Sequence, residues 1–375
     1  MINASLITLT TPALDGGIGR NIVNLTGAFH SFGCRVHLLI DKPKGPYLDL
    51  LHPAVKIFHL STSHPISGIP AMSKYLLQHK PDVILTPNVR HTALALRARR
   101  FVSHSTQIHV NVHNTYSKTF QNLSARKRRK RIKKISALYP RCNGIIPVSN
   151  GVAEDLCSLT KLPQETLTTI YNPVVTRKLD ELAAEPVEHP WFADNKRPII
   201  LGVSRIEKTK NLPLLVGAFE QVRQQLPCRL MLVGDGTQYA AIETRTQASP
   251  FCEDITLVGH QNNPYNYMKN ASLFVLSSSW EGFGNSLVEA MATGTPVVST
   301  DCPNGPREIL DNGRYGPLVP VDDETALARA MLKTLHSPLP AAILKQGVER
   351  FRDTVIARQY LQAFDLLSPS RADTN

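Results

Sequence analysis

The stretch Ala271-Ser-Leu-Phe-Val-Leu-Ser-Ser-Ser-Trp-Glu281-Gly-Phe-Gly-Asn-Ser-Leu-Val-Glu289-Ala-Met-Ala-Thr-Gly294-Thr-Pro296-Val-Val-Ser299 decides the fold. Its first seven residues are a short apolar run rich in strand formers. Leu287 to Ala292 reads as helix up to Gly294, and Pro296 to Ser299 as the next strand. Strand, turn, helix and strand make a βαβ unit, so Glu281–Glu289 lies at the carboxyl edge of a parallel sheet, where α/β proteins bind ligands. Gly282 and Gly284 let the backbone approach a ligand closely, and a helix N-terminus offers N–H groups and positive dipole to an anion. A plainer reading competes: Ser286-Leu-Val-Glu289 also fits a capping box, with Ser286 as N-cap and Glu289 at N3.

The same alternation runs outward in both directions. Before residue 175, strand-like runs at Ser5–Leu9, Val36–Ile40, Val55–Leu60, Asp82–Thr86, Gln107–Val112 and Gly144–Val148 are separated by helical patterns near Ile18–Phe32, Ile69–His79, Arg90–Arg100 and Leu123–Tyr139. The pattern breaks from Tyr171 to Arg197, where Pro173, Pro186, Pro190 and Pro198 with acidic residues between them read as a connector. It then resumes: strands at Ile199–Val203, Leu230–Val233 and Ile255–Val258, and helices at Leu212–Gln225, Gln238–Gln247 and Tyr265–Lys269. Helical stretches near Glu324–Leu335 and Ala341–Leu367 close the chain. Such alternation predicts an α/β fold of two Rossmann-like, doubly wound domains: 1–175, 176–350, and a final segment 351–375 holding a helix and a tail.

Length and composition agree. The 375 residues favour more than one domain, and 42% hydrophobic with 19% charged residues is ordinary for a globular chain. No apolar run approaches the eighteen residues of a membrane span, and Met1-Ile2-Asn3-Ala4 lacks the basic start of a secretory signal, so the expectation is a cytoplasmic protein. The six cysteines are scattered singly, without a C-x-x-C pair, and argue for neither zinc nor a disulfide framework. The net charge of +12 is uneven: residues 1–175 carry 22 Lys and Arg against 7 Asp and Glu, and residues 176–375 carry 20 against 23. The two halves therefore face different partners.

Four further groups are candidates for chemistry. Gly16-Gly17-Ile18-Gly19 joins the first strand to the first helix, where a ligand's phosphate or sugar could approach backbone N–H groups, although the G-x-G-x-x-G dinucleotide pattern is absent. Arg205 and Lys210 follow the first strand of the second half, and a guanidinium with an ammonium suits a diphosphate, though a solvated basic loop would look the same. His113 ends a strand at a carboxyl edge and is a candidate for a substrate hydroxyl, whereas His109, further back, reads as structural. Finally Arg126, Lys127, Arg128, Arg129, Lys130, Arg131, Lys133 and Lys134 place eight cations in nine positions, with Ile132, Ile135 and Leu138 as a thin apolar stripe. A merely solvated face would repel itself, and no aromatic residue is interleaved for stacking on nucleic acid. An anionic membrane surface is the favoured partner, with nucleic acid disfavoured.

Taken together these pieces resemble the GT-B-fold retaining glycosyltransferases of the family 4 group, in the form that builds bacterial surface polysaccharides. The most specific part is Glu281 to Glu289, which looks like that family's E-x7-E signature, followed by Gly294-Thr-Pro296-Val. Asp301-Cys-Pro-Asn-Gly305-Pro306-Arg307-Glu308 continues it, with Val148-Ser149-Asn150 and Tyr171-Asn172-Pro173 in support. The resemblance implies two domains facing a cleft, the last helix crossing back to the first domain. It implies Gly16 and Gly17 near the donor phosphate or acceptor, and Arg205 and Lys210 on the diphosphate. Glu281 and the backbone of Phe283, Gly284 and Asn285 would meet the donor sugar, Glu289 the ribose, and His113 the reacting carbon. The implied function is transfer of a hexose or N-acetylhexosamine, with retention, from a nucleotide-sugar, expected to be a UDP-sugar. The acceptor would be a lipid-linked, lipopolysaccharide or capsule glycan, reached at the cytoplasmic face of the inner membrane. No D-x-D motif occurs, so no metal and no cofactor are expected. The rival readings are a nucleotide-sugar epimerase of the same fold and a non-catalytic basic protein binding membrane or nucleic acid.

Overall fold

Apolar runs without polar alternation belong in a parallel sheet covered on both faces. They take that place in the computed structural model, which describes residues 5–60, 68–194 and 196–367. The chain divides into two units, residues 1–173 with 353–375, and residues 174–352. The limits fall two residues from the 175 and 350 of the sequence reading, and residues 368–375 of the closing tail lie outside the described residues.

The first unit runs β1 (Leu6–Thr11), α1 (Gly16–Ser31), β2 (Arg35–Ile40), β3 (Lys56–His59), α2 (Gly68–His79), β4 (Val83–Thr86), α3 (Val89–Ala98), β5 (Gln107–Val112), α4 (Tyr116–Thr119), α5 (Ala125–Leu138), β6 (Gly144–Pro147) and α6 (Asn150–Thr160). Its sheet is parallel throughout, in the order β3-β2-β1-β4-β5-β6, with Leu9 paired to both Leu38 and Leu85 at its centre. The second unit runs α7 (Arg177–Ala183), α8 (Pro190–Asp194), β7 (Ile199–Val203), α9 (Leu212–Gln225), β8 (Arg229–Val233), α10 (Tyr239–Gln247), β9 (Ile255–Gly259), α11 (Tyr265–Asn270), β10 (Leu273–Leu276), α12 (Asn285–Thr293), β11 (Val297–Thr300), α13 (Pro306–Ile309), β12 (Leu318–Val319), α14 (Glu324–His336) and α15 (Ala341–Val348). Its sheet, again parallel, reads β9-β8-β7-β10-β11-β12. Both units thus share one strand order, the third strand outermost and the first beside the fourth.

The last helix, α16 (Asp353–Ala363), belongs to the first unit. Ile356, Ala357, Tyr360, Leu361 and Phe364 are buried in its core with Leu9, Leu25, Phe29 and Leu38. Phe29 meets Tyr360 edge-on at 6.2 Å, and Gln107 Nε2 donates to the Phe364 carbonyl at 3.1 Å. In the second unit Leu215, Phe219 and Val222 of α9 pack with Leu230, Val275, Val298 and Met331.

Three local expectations are corrected. The connector contains two helices: Thr176 caps α7 by accepting from the Leu179 N–H at 3.0 Å, and Pro190 starts α8. The closing stretch is not one helix. The Phe351 carbonyl accepts from the N–H groups of Val174 and Val175 at 3.0 and 3.1 Å, which holds the chain at Arg352 extended (φ −66, ψ 137) and separates α15 from α16. A helix also spans Asn150–Thr160, where none was expected, capped by Ser149 accepting from the Val152 N–H.

Candidate active site

Strand order locates the site before any side chain is considered. In an open parallel sheet the connections leave in opposite directions from the two strands at which the order reverses, and the crevice between their carboxyl ends is where ligands bind. In the second unit those strands are β7 and β10. Arg205 and Lys210 lie in the loop after β7, and Glu281 in the loop after β10.

The two loops are stitched together by the chain itself. Ser277 Oγ donates to the Lys210 carbonyl at 2.8 Å, and the Ser279 N–H to the Thr209 carbonyl at 2.8 Å. Lys210 Nζ then reaches Glu281 Oε1 at 2.6 Å, and Ser278 Oγ donates to the same oxygen at 2.6 Å. The side chains of Lys210 and Glu281 are 20% and 10% exposed, so the pair is well shielded. The loop after β11 closes the third side: the Glu281 N–H donates to the Pro303 carbonyl at 3.2 Å, and Asn304 Nδ2 to the Glu281 carbonyl at 3.4 Å. Cys302 is buried beside these groups, and burial first, then the Glu281 charge, pushes its thiol up to about 12, which leaves it inert.

Backbone geometry fixes the turn between Glu281 and α12. Gly284 is the N-cap at φ +106, so α12 starts at Asn285. This overturns the capping box: Ser286 is the second residue of the helix and Glu289 the fifth, and neither occupies the position that reading requires. Glu289 instead accepts from the Tyr265 hydroxyl at 3.5 Å. The Phe283 side chain is buried against Phe351 at 5.3 Å, so only its backbone remains for a ligand. Gly305 faces it at φ +94, and a Cβ there would lie 1.6 Å from the Phe283 carbonyl oxygen. Gly305→Ala is therefore expected to cost on the order of 3 kcal/mol, from left-handed strain and the clash together. Chemical denaturation checks it, and an unchanged midpoint would contradict this reading of the turn.

Arg205 is exposed at the rim of the same loop, whose base is fixed by the Ile206 N–H on the Asp235 carbonyl at 2.8 Å and by Thr237 Oγ1 on Glu207 Oε2 at 2.7 Å. Asn211, left-handed at φ +46, ends the loop and donates from Nδ2 to Asp322 Oδ1 at 2.7 Å. Asp322 and Asp323 are thereby structural, Asp323 Oδ1 capping α14 through the Ala326 N–H at 2.8 Å. Among the described residues no group of three His, Cys, Asp or Glu could hold a metal ion.

The first unit carries the remaining candidates. Gly16 opens α1 at φ +56 and Gly17 follows, exposed, after β1, again a strand at the reversal point of its sheet. His113 follows β5, half-buried, and burial lowers its pKa to about 4, so the imidazole is neutral near pH 7. His109 is buried: Nε2 meets Gln107 Oε1 at 2.9 Å and the ring lies 4.6 Å from Phe364, a structural place. Arg126, Lys127, Arg128, Arg129, Lys130, Arg131, Lys133 and Lys134 are all exposed on α5, whereas Ile135 and Leu138 of the apolar stripe are buried. No helix among the described residues is long and apolar enough to cross a membrane.

The sequence and the fold are similar to those of known proteins. Residues 15–178 match the family model Glycosyltransferase Family 4, and residues 187–350 match Glycosyl transferases group 1. The chain belongs to the family 4 group of GT-B glycosyltransferases. A relative of this glycosyltransferase from Campylobacter jejuni, the N-acetylgalactosamine-N,N'-diacetylbacillosaminyl-diphospho-undecaprenol 4-alpha-N-acetylgalactosaminyltransferase, is 32% identical over 201 residues, 54% of this chain and 53% of that one. The chain spans about half the length of this and other curated relatives it matches. Two solved structures share the fold. The lipopolysaccharide outer core galactosyltransferase WaaB in its apo form has a TM-score of 0.73 at 20% identity, covering 96% of this chain and all of its own. Anabaena Alr3699/HepE in complex with UDP-glucose has a TM-score of 0.77 at 17% identity, covering 96% and 100%.

Sequence reading assigned no role to Ser278 and Tyr265, which bond the carboxylates of Glu281 and Glu289, or to Ser277 and Asn304, which bond the backbone carbonyls of Lys210 and Glu281. The run Ser277-Ser-Ser carried the only signal, as small hydroxyl residues directly after a strand at a carboxyl edge.

Proposed function

We propose that this glycosyltransferase moves a hexose or N-acetylhexosamine from a UDP-sugar to a lipid-linked or lipopolysaccharide-type glycan, with retention and without a metal. One observation carries the reading: at the reversal point of the second sheet Lys210, in the same loop as the exposed Arg205, is paired to Glu281, in the turn that leads into α12. Two cations and a helix dipole there meet the charge that develops on a departing diphosphate, the task a bound metal performs elsewhere. The UDP-glucose in one fold neighbour and the lipid-diphosphate and lipopolysaccharide acceptors named for others support the choice of substrates.

In the step we assign, the anomeric carbon–oxygen bond to the diphosphate breaks with its electrons going to the leaving oxygen. The acceptor hydroxyl attacks the same face, and its proton passes to that oxygen. Glu281 and the backbone from Phe283 to Asn285 hold the sugar, and Glu289, aimed by Tyr265, takes the ribose hydroxyls. His113, kept neutral by burial, exchanges a hydrogen bond with a sugar hydroxyl; Gly16 and Gly17 serve the donor phosphate or acceptor. The basic helix α5 brings the enzyme to the cytoplasmic face of an anionic membrane.

Nucleotide release over a panel of UDP-, GDP- and ADP-sugars, with bacterial membrane extract as acceptor, tests the proposal. Acceptor-dependent release of UDP supports it, and isomerised donor sugar formed without acceptor would assign an epimerase instead. Excess chelator is expected to leave the rate within about twofold of its untreated value; loss of turnover would refute the role given to Arg205 and Lys210.

A further inference from the structure

Helix α5 is covered by its own unit along one side only. Ile135 and Leu138 are buried, and Ser136 Oγ on the Thr160 carbonyl at 3.2 Å ties that side to α6. The eight cations from Arg126 to Lys134 have no carboxylate partner among the described residues, and Arg131 alone has a ring beneath it, Phe120 at 5.5 Å. Ile132, the third member of the apolar stripe, is only half-buried. With Leu123, Ala125, Arg128 and Arg129 it lines an open groove of about 400 Å³. Positions 125, 128, 129 and 132 recur at three- and four-residue steps, so they share one helix face.

We propose that this groove seats one anionic phospholipid, its phosphate between the guanidinium groups of Arg128 and Arg129 and the start of an acyl chain along Leu123, Ala125 and Ile132. The inference rests on the membrane reading above and adds a defined site to it. Two adjacent guanidinium groups match the oxygens of a phosphate ester. An apolar floor next to them is wasted on a free phosphate or on a nucleic acid backbone, neither of which carries a hydrocarbon chain, but is used by a lipid. Eight cations without counter-charges repel one another until an anion arrives, which favours an anionic occupant over water.

Flotation with phosphatidylcholine vesicles, with and without about 30% phosphatidylglycerol, tests it by two variants of equal charge loss. Arg128→Gln/Arg129→Gln removes the groove pair, and Arg126→Gln/Lys130→Gln removes two cations outside the groove lining. Binding to the acidic vesicles is expected to fall about tenfold further in the groove variant than in the control. Ile132→Ser, which changes no charge, is expected to weaken it as well. Equal losses in both pairs with no effect of Ile132→Ser would overturn the lipid seat and leave diffuse attraction to the membrane. If the wild-type chain ignores acidic vesicles, or binds single-stranded RNA more tightly than vesicles at the same salt, the membrane reading falls too. All substitutions are on exposed or half-exposed positions, and circular dichroism confirms folding.

Discussion

Lys210→Ala is expected to lower kcat/KM for the donor by about 10²- to 10³-fold, the range seen when one fixed electrostatic contact to a developing oxyanion is removed. The expectation follows from where Nζ sits, 2.6 Å from Glu281 Oε1 and at the reversal point between β7 and β10. Such a pair can act in two ways. Lys210 can oppose the diphosphate charge itself, or it can only hold Glu281, with Ser278 donating to the same oxygen. Glu281→Ala and the double variant separate these roles. If Lys210 serves only Glu281, the double variant is no worse than Glu281→Ala alone. If it contacts the diphosphate, the two losses compound. Lys210→Ala also leaves a shielded carboxylate with one partner fewer, so rates should be compared well below the unfolding temperature of the variant.

Acid is expected to unfold the first unit before the second. His37 and His109 are buried, His113 half-buried, and each has its pKa lowered to about 4, in every case chiefly by burial, with His79, Lys56 and Arg35 adding to the effect at His37. Between the ordinary histidine value near 6.5 and about 4, the unfolded chain binds protons that the folded unit does not, so stability falls as pH falls through that window. Each group contributes up to about 1.4 kcal/mol per pH unit there. At His109, protonation would add a proton to Nδ1, which has no partner in its buried place among the described residues. In the second unit His189 is lowered as well, by burial and then by Arg229, and the other lowered groups are carboxyls: Arg245 holds Glu220 below the ordinary range, and Arg352 does the same for Glu349. The contribution of the two carboxyls is present above the ordinary carboxyl value and is lost only as pH falls below it, so acid acts on three lowered histidines in the first unit against one in the second. Denaturant titrations at pH 7, 6, 5 and 4.5, followed by fragment-resolved hydrogen exchange, should show protection lost first in residues 5–60 and 68–173. Protection lost first in residues 196–352 would contradict the assignment.

Much of this was legible in the sequence because the inner strands are buried on both faces and announce themselves as apolar runs. Helix α9 was placed at its observed limits, and α12 and α14 within two residues, since Gly294 and Asp323 mark a helix end and a helix start in the letters themselves. The capping box failed for a physical reason. Ser-x-x-Glu is satisfied on paper at Ser286, but the residue able to take φ +106 is Gly284, and that choice moves the helix start forward. The short helices α7 and α8 were hidden by a high density of proline, although Thr176 was a readable cap. The break at Arg352 was invisible because its cause, two N–H groups from Val174 and Val175, comes from a segment about 180 residues away in the chain. At the site, Lys210 and Glu281 were named from their places after strands, and Glu289 from the resemblance of Glu281–Glu289 to the family's E-x7-E signature. That Lys210 and Glu281 touch, and that Ser278 and Tyr265 aim the carboxylates, depends on side-chain geometry that spacing cannot express.

The central claim is that the loops after β7 and β10 hold a nucleotide diphosphate with protein cations. Calorimetric titration of UDP in the presence of chelator measures it directly, on the wild-type chain and on Arg205→Ala and Lys210→Ala. The account predicts one site per chain in the wild type and affinity at least about tenfold weaker in each variant, with folding unchanged by circular dichroism. UDP bound equally well by all three proteins would contradict it.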